Sequence, residues 1–486
     1  MEITRETLKA LPPSEAIDIL FALVQRLIEE NTALKAEIAE LKARLNQDSN
    51  NSSKPPSSDP PWKKSKQPNM REKSEKKAGG QPGHKGSGLI LPKNPDKFIA
   101  HEPRQCETCE NRASCETDRK RIASKRYEID TEVITHVTEH QQIRVECPKS
   151  GKVLLGEYPR NIRSEAQYGV GYTSLVASLN TIGVVSMERI QELLHGITGI
   201  SPSTGTIASM MERSAEAVSE TVAEIKEVAT KASILHLDET GVRIGGNTEW
   251  LHVASTEDLT YLSVQPKRGK EGMDKAEVLP EFTGTAVHDC WSPYFTYDAM
   301  NHALCNAHLL RELKAATENY GQGWATEASS LLLEMKQMKE SLQREGETKA
   351  PSELWLRYST AYDEIMAQAL LSNPKHEPPL GKKGRPKRGK IGALVDRMTL
   401  HKDGFLAFFV DFDIPFTNNQ AERDIRMFKV KQKVSGCFRS RDGATGFATL
   451  MSFICTAKKR GLSAFASIRD ALLGDSFPLP VVAVTE

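Results

Sequence analysis

Three acidic residues lie in sequence contexts that suit metal-dependent chemistry on phosphate esters. Asp238 ends the apolar run LHLD, Asp289 ends AVHD, and Glu422 lies in NNQAERDIR. Two strand ends and one helix start can converge on one cleft although they are far apart in the chain. Because carboxylate oxygens are the ligands that Mg²⁺ and Mn²⁺ prefer, we predict that these three residues bind such ions and catalyse phosphoryl transfer.

The surroundings of Glu422 are basic, which favours this interpretation. Lys429 follows Glu422 by seven residues and therefore shares its face of a helix, where we expect it to contact DNA. Asp424 lies on a different face, and we expect it to pair with an arginine. Four further cations can bind backbone phosphates: Arg423, Arg426, Lys431 and Lys433.

A structural role for the three acids stays open at this point. The chain has 64 Asp and Glu residues, so many such triples exist. An aspartate at a strand end often caps a turn. The pattern alone therefore does not separate a catalytic site from ordinary turn residues.

A second group of metal-ligating side chains lies between residues 101 and 160. Eight cysteines in 486 residues are too few for a disulfide framework, and the CxxC spacing suits zinc in a reducing compartment. The candidate ligands are Cys106, Cys109, Cys115 and Cys147, with His101 as an alternative to Cys115. We predict a zinc-finger-like β module with two antiparallel strands in the alternating run 126–146. A module without zinc is the alternative.

Cys305 and His308 form a separate C-x₂-H pair. With no second pair nearby, we interpret them as helix-packing residues and not as metal ligands. His308 and Arg311 can nevertheless face the active site from the same helix.

Two basic segments indicate either nucleic-acid binding or ordinary solvated surface. The stretch from Lys54 to Lys97 holds eleven Lys or Arg residues and four acids without apolar periodicity, so we expect a flexible arm. The run 381–390, GKKGRPKRGK, resembles a minor-groove AT hook in which Arg385 and Arg388 would contact DNA. A solvated basic loop is the equal alternative.

The N-terminal segment has the heptad pattern of a parallel two-stranded coiled coil. Leucines occupy position d over four heptads, and position a holds mostly β-branched residues with a single Asn31. Glutamates at g can pair with lysines at e of a partner helix. We predict a homodimer through this helix; the alternative is an amphipathic helix that packs on its own chain.

Composition and periodicity predict a multidomain α+β protein. We expect a coiled coil at 1–48, a basic flexible linker at 49–100, the zinc-finger-like module at 101–160, a helical region with a candidate helix-turn-helix for DNA at 161–232, a catalytic core that begins at 233–305 with three antiparallel strands, a helical insertion with the basic loop at 306–400, and the rest of the core with a C-terminal helix at 401–486. The N-terminus lacks a signal peptide and no apolar run could span a bilayer, so we expect a cytoplasmic protein without membrane contact.

Five segments resemble the bacterial insertion-sequence transposases of the IS66 family, which belong to the DDE class. They are NNSSKPPSSD, LHLDETG, CNAHLLREL, PFTNNQAERDIR and TAKKRGLSAF, and the resemblance extends over essentially the whole chain. It implies a ribonuclease-H-like α/β catalytic core with a helical insertion before the last acid, and it implies Asp238, Asp289 and Glu422 as the metal-binding triad. The implied reaction is Mg²⁺-dependent hydrolysis at transposon ends, followed by attack of the freed 3′-hydroxyl on target DNA.

The same resemblance bears on partners and on zinc. Terminal inverted repeats and target DNA are the implied nucleic-acid partners, and small accessory transposition proteins are often encoded beside the transposase. Family members usually have two CxxC pairs, whereas the motif CPKS places Ser150 where the last thiolate is expected. Two rival functions stay open: a catalytically inactive DNA-binding regulator, and a metal-dependent nuclease without strand transfer.

Replacing Arg385 and Arg388 by alanine tests the DNA-binding interpretation of the basic loop. Each phosphate contact releases counterions, so the double variant should bind DNA more weakly and with a shallower dependence of affinity on salt. Binding titrations at several salt concentrations measure both quantities. Salt slopes equal to those of the wild type would favour the solvated loop.

Overall fold

A computed structural model describes residues 11–46, 48, 51, 94–101, 103–107, 109–110, 122–159, 161–374 and 389–479. The chain divides into two compact units, Met1–Gln67 with His140–Glu486 and Pro68–Glu139. Within the described ranges, many helices and a mixed five-stranded sheet confirm the predicted multidomain α+β class. No helix in those ranges is both long and apolar enough to cross a membrane. The basic loop with Arg385 and Arg388 lies outside the described residues.

Helix α1 spans Pro13–Leu45, where the heptad pattern predicts a helix. A proline in the first turn suits a helix start, because the N–H groups there have no partner within the helix. The leucines of its seam are about half exposed in the single chain, with Leu20 at 47% and Leu41 at 50%. These apolar side chains are thus only partly covered in the single chain, in which this helix also contacts the helix Asn306–Tyr320. Pairing with a second copy stays a prediction.

The unit Pro68–Glu139 shows little regular structure in its described residues. Its helix there is α2 (Arg104–Glu107), and residues 122–139 form no strand. Of the predicted run 126–146, only residues 144–146 form a strand, so the prediction of two strands paired within this run is wrong.

A short hairpin in the other unit explains the error. Strand β1 (Arg144–Glu146) pairs with β2 (Val153–Leu155) in antiparallel register. The turn between them includes Gly151 at a φ of 64°, a conformation that glycine adopts without strain. The strand partner of β1 thus follows it in the chain, whereas the alternating pattern indicated a partner before it.

Four helices make up the next region, as its 3.6-residue periodicity predicts. They are α3 (Val170–Thr181), α4 (Met187–Thr198), α5 (Thr204–Ala217) and α6 (Ser219–Thr230). Gly199 ends α4 in the left-handed conformation, and the side chain of Ser203 caps α5 by accepting from the Thr206 N–H. A DNA-binding role for the α4–α5 pair stays a prediction.

The central sheet has the order β5-β4-β3-β6-β7. Its strands are β3 (Ile234–Ile244), β4 (Asn247–Ser255), β5 (Thr260–Gln265), β6 (Thr285–His288) and β7 (Asn301–Leu304). The first three form the antiparallel meander that the sequence predicts. Strand β6 then joins β3 in parallel, and β7 joins β6 in parallel. The short helix α7 (Lys270–Lys275) lies in the connection between β5 and β6.

Helices fill the rest of the described chain. Five of them follow β7, namely α8 (Asn306–Tyr320), α9 (Gly323–Arg344), α10 (Ser352–Ser372), α11 (Gly389–Leu400) and α12 (Lys402–Val410). They share one apolar core with β6, β7 and the segment that ends at Phe416. The last three are α13 (Asn419–Ser435), α14 (Arg441–Lys459) and α15 (Ala464–Leu473).

Helix α13 packs on the meander because one of its faces is apolar. Ala421, Ile425 and Phe428 recur at helical spacing and pack against Val242 and Leu251 of the sheet. This face of the sheet is the one to which the even-numbered residues of β3 point, since successive side chains of a strand alternate.

A buried ion pair fixes α13 more firmly. The Asp424 Oδ2 accepts hydrogen bonds from Lys459 Nζ of α14 at 2.8 Å and from Thr260 Oγ1 of β5 at 2.9 Å. The two charged side chains are only 9% and 12% exposed. The expected pairing of Asp424 with an arginine is therefore wrong, because this side chain points into α14 and not into solvent.

Removing Asp424 should weaken the fold strongly. Replacement by alanine leaves the buried Lys459 ammonium without its counterion, so we expect the free energy of unfolding to fall by about 3–5 kcal/mol. Urea denaturation followed by tryptophan fluorescence measures it. As a control, Asp470→Ala removes one partner of the exposed Arg469–Asp470 pair, which should cost about 1 kcal/mol or less. Equal effects of the two variants would contradict a special role for the buried pair.

Candidate active site

The register of the sheet places Asp238 beside Asp289. Strands β3 and β6 are parallel neighbours, and their last registered pair is His236 with Val287. Each aspartate follows its member of this pair by two residues. Because neighbouring strands lie about 4.8 Å apart, the two acids sit next to each other, with Asp238 inside β3 and Asp289 directly after the last residue of β6.

Glu422 lies on the helix that packs on the strand of Asp238. It lies in the first turn of α13, the helix that covers the sheet face to which Asp238 points. Its charge is close enough to act on Asp238. The structure therefore brings all three predicted acids into one electrostatic neighbourhood.

The pKa of Asp238 is raised by its surroundings. Burial raises its pKa to about 8, and the negative charges of Glu239, Asp289 and Glu422 add to the effect. The backbone N–H of Glu239, which donates to the Asp238 carboxylate at 2.8 Å, works in the opposite direction. The protein's own hydrogen-bond donors therefore only partly stabilise the ionised form of Asp238.

The backbone turns abruptly after Asp289. Cys290 adopts a φ of 70°, which is uncommon for a residue other than glycine. The N–H of Trp291 donates to Asp289 Oδ1 at 3.0 Å. Strained backbone of this kind concentrates at functional sites, and here it ends β6 at the acid.

Two cations of α8 hold Glu422. His308 Nε2 lies 3.7 Å and Arg311 Nη2 lies 3.8 Å from Glu422 Oε1. Both side chains therefore face the site, as their spacing in the sequence suggested. The carboxylate is half-buried, so it is also open to solvent on one side.

Glu239 anchors the opposite face of the same strand. Its Oε1 accepts from Arg268 Nε at 2.9 Å and Nη2 at 2.7 Å, and its Oε2 accepts from the Tyr294 hydroxyl at 2.6 Å. The Arg268 guanidinium also lies 4.0 Å from the ring centroid of Trp291. Trp291 and Tyr294 belong to the segment that follows Asp289, so this network ties that segment to the strand that carries Asp238.

The Glu239 network is not apparent in the sequence. The adjacent acids in LHLDETG and the alternation of a strand indicate that Glu239 and Asp238 point to opposite faces. The partners of Glu239 lie 29 and 55 residues away. No local pattern marks them.

The predicted DNA-binding cations of α13 differ in where they point. Lys429 is half-buried and donates to the Gly241 carbonyl of β3 at 2.6 Å, beside Asp238. Lys431 is buried, with Nζ 3.4 Å from the carbonyl oxygens of both Asn180 and Val185. It is therefore turned away from solvent, and we leave it out of the proposed DNA surface. The exposed cations on the outer face of the helix are Arg423, Arg426 and Lys433.

Within the described part of the chain, no group of three or more His, Cys, Asp or Glu residues is arranged to hold a metal ion. The three acids are thus neighbours without forming a ready coordination shell. Of the predicted zinc ligands, Cys109 is exposed and Cys147 is half-buried, both as free thiols. The side chain of Cys106 and all of Cys115 lie outside the described residues, so zinc binding stays a prediction.

Ser150, which occupies the position where a fourth cysteine ligand was expected, forms a hydrogen bond with Cys147. A hydrogen bond from its side chain, together with the backbone N–H groups of Lys149 and Ser150, lowers the pKa of Cys147. The residue that replaces the expected ligand therefore stabilises the remaining thiolate.

Fold and site together define an α+β protein in which two aspartates lie next to each other where the parallel pairing of β3 and β6 ends. The Transposase IS66 family model matches residues 165–446, more than half of the chain, including the sheet, the insertion, all of α13 and the start of α14. The chain belongs to the IS66 family of transposases.

The chain is similar to two further sequences or families. The model of a family of unknown function, DUF6444, matches residues 9–89. An uncharacterized protein of Sinorhizobium fredii, y4jO, is 38% identical over 82 residues, which are 17% of this chain and 26% of that protein. The chain thus aligns with about a quarter of this relative's length.

Tyr294→Phe tests the network behind Asp238. The change removes the hydroxyl that donates to Glu239 Oε2 and leaves a buried carboxylate oxygen unpaired, so the free energy of unfolding should fall by about 1.5–3 kcal/mol. Chemical denaturation measures it. The control is Tyr297→Phe, which removes a similar bond to the part-exposed Asp274 and should cost about 1 kcal/mol or less. A smaller effect at Tyr294 than at Tyr297 would contradict the assigned role.

Proposed function

We propose that this protein is a DDE transposase that cleaves DNA at transposon ends and joins those ends to target DNA. The observation that carries the proposal is the placement of Asp238 and Asp289 on neighbouring parallel strands, with Glu422 on the helix that covers the same face. The family supports a transposition-related function. The DDE chemistry rests on the three acids.

The order of elements supports a ribonuclease-H-like catalytic core, which the resemblance to the family implies. Three antiparallel strands come first, and two parallel strands follow. The helical insertion α8–α12 lies between β7 and Glu422. This order, with one acid in the first strand, one after the fourth and one on the helix after the insertion, supports the assignment of such a core.

The residues present suit Mg²⁺ or Mn²⁺ by their chemistry. Asp238, Asp289 and Glu422 supply hard oxygen donors. Burial raises the pKa of Asp238 and the neighbouring negative charges add to the rise, and a divalent cation would offset both by favouring the ionised carboxylate. Such an ion, when bound, activates the attacking oxygen and stabilises charge on the phosphate. Glu422 would join this site by leaving its contacts with His308 and Arg311.

The chain's own residues bind and orient the DNA. Arg423, Arg426 and Lys433 line the exposed side of α13 next to Glu422 and would hold backbone phosphates across the site. In the first step a water oxygen bonds to phosphorus, the P–O3′ bond breaks, and the leaving oxygen takes up a proton to become a 3′-hydroxyl. In the second step this hydroxyl loses its proton as its oxygen bonds to a target phosphorus, the target P–O3′ bond breaks, and the leaving O3′ takes up a proton. Neither step needs a covalent bond to the protein.

We further propose a homodimer through α1. The exposed leucine seam of this helix matches the heptad pattern of a two-stranded coiled coil. A dimer would allow the two ends of an element to be held together. Zinc in the cysteine module and accessory transposition proteins belong to the same proposal as implications of the family.

Metal-dependent cleavage is tested with a labelled duplex that carries the terminal inverted repeat of the element encoding this chain. With Mg²⁺ or Mn²⁺, the wild type should release a 3′-hydroxyl end and form joined products. Asp238→Ala and Glu422→Gln should retain DNA binding but lose about 10³-fold or more in cleavage rate, because the metal site supplies several kcal/mol to the transition state. The exposed turn variant Asp258→Ala is the matched control and should cleave like the wild type.

The same assay separates the rival functions. Binding without cleavage would identify a regulator, and cleavage without joined products would identify a nuclease. Wild type that cleaves no faster than Asp238→Ala would contradict the catalytic assignment.

A further inference from the structure

Asn418 lies at the start of α13 but does not serve that helix as a cap. Asparagine at an N-cap usually accepts a hydrogen bond from the second or third N–H of its own helix. Here the side chain makes no such bond. The residue is only 1% exposed, so its polar groups must find partners elsewhere in the protein.

The side chain of Asn418 binds the strand that carries Asp238. Its Nδ2 donates to the Leu237 carbonyl at 2.6 Å, and its Oδ1 lies 2.9 Å from His236 Nδ1. Because a carbonyl can only accept, the amide nitrogen must face Leu237 and the amide oxygen must face His236. This fixes His236 as the tautomer with a proton on Nδ1. The bond to Leu237 lies one residue before Asp238.

The backbone of Asn418 binds the strand end that leads to Asp289. Its N–H donates to the Cys305 Sγ at 3.1 Å. The N–H of Cys305 in turn donates to the carbonyl of His288 at 2.9 Å, and His288 directly precedes Asp289. A second bond beside it, from the Asn306 N–H to the Phe416 carbonyl at 3.1 Å, joins the start of α8 to the residues just before α13.

Asn418 thus touches, directly or through one residue, the backbone next to each aspartate. It also lies four residues, about one helical turn, before Glu422. We infer that Asn418 is a positioning residue that sets the spacing of the three carboxylates, an inference that rests on the proposed DDE function. Because Asn418 is buried, it acts through the neighbours that it binds.

The sequence offers a matched control for this role. Asn419 has the same side chain and is exposed at the next position. Asn418→Ala should raise the Mg²⁺ concentration for half-maximal cleavage by about 10- to 100-fold, as is typical when a residue behind a metal site is removed. DNA affinity should stay within about twofold, since the phosphate-binding cations are unchanged. Asn419→Ala should match the wild type in both quantities.

Two measurements that do not depend on catalysis accompany the kinetics. Mn²⁺ binding to the full-length protein without DNA, followed by electron paramagnetic resonance, should weaken by a similar factor in Asn418→Ala. Nitrogen-15 NMR of labelled histidine should show the Nδ1-protonated ring of His236 in the wild type and in Asn419→Ala, and a changed resonance in Asn418→Ala. Cys305→Ala removes the sulfur that accepts from the Asn418 N–H and that also bonds to His308; it provides a second route to the same loss if Asn418→Ala does not fold.

The outcomes distinguish the inference from the function beneath it. If the wild type binds Mn²⁺ no better than Asp238→Ala does, the metal site of the proposed function is contradicted. If the wild type binds Mn²⁺ at a site that Asp238→Ala lacks, while Asn418→Ala and Cys305→Ala both bind it within twofold of the wild type, only the positioning role is overturned. Weakened Mn²⁺ binding with DNA affinity retained supports both.

Discussion

Placing several acidic side chains close together on one sheet is electrostatically unfavourable, and nearby cations and N–H groups reduce this repulsion. Burial of the Asp238 carboxyl raises its pKa to about 8, and the like charges of the neighbouring acids add to the rise. The acids nearby are each given cationic partners: Glu239 has Arg268, and Glu422 has His308 and Arg311. Asp238 and Asp289 instead accept hydrogen bonds from backbone N–H groups. The two strand acids are therefore the ones left with most need of an external positive charge.

Helix α13 meets this constraint by giving each of its faces a different task. Its apolar face packs on the meander, and Asp424 locks it to α14 and β5. Lys429 braces it against the backbone of β3, while its exposed arginines stay available for phosphates. A rigid helix attached at so many points can present Glu422 at a defined height above the sheet. Precision at the site thus originates in packing and not in the acid itself.

Periodic and local signals made part of this structure predictable. The heptads predicted α1, the alternating apolar runs predicted the meander, and the apolar residues before Asp289 placed that acid where β6 ends. The strand end predicted at Asp238 is wrong, because β3 continues past this residue to Ile244. What could not be predicted depends on distant partners. Nothing near Lys431 in the sequence shows that it will be buried against the carbonyls of α3 and the turn after it. Strand pairing around β1 was misjudged because alternation alone does not specify which neighbour a strand will choose.

The motif NNQAER illustrates the same limit within the candidate site. Its acid and arginines suggested catalysis and DNA binding from their chemistry. The roles of its two asparagines differ entirely, since one is buried among β3 and Cys305 and the other is exposed. Adjacent identical residues carry no sequence signal that separates them. Only the tertiary contacts do.

The bonds from Cys305 and Asn306 to the segment before α13 join two points that are 113 residues apart in the longest case. The two ends of the helical insertion are therefore hydrogen-bonded to each other at the point where the chain leaves the sheet and returns to it. Loop-closure entropy grows only slowly with length, by about 0.6 kcal/mol for each doubling. Added length between these two bonded points therefore costs little chain entropy, but the helices of the insertion are not independent of the site. They share an apolar core with β6 and β7, and α8 carries His308 and Arg311 beside Glu422. A change in the packing of the insertion therefore acts on the candidate site through this shared core.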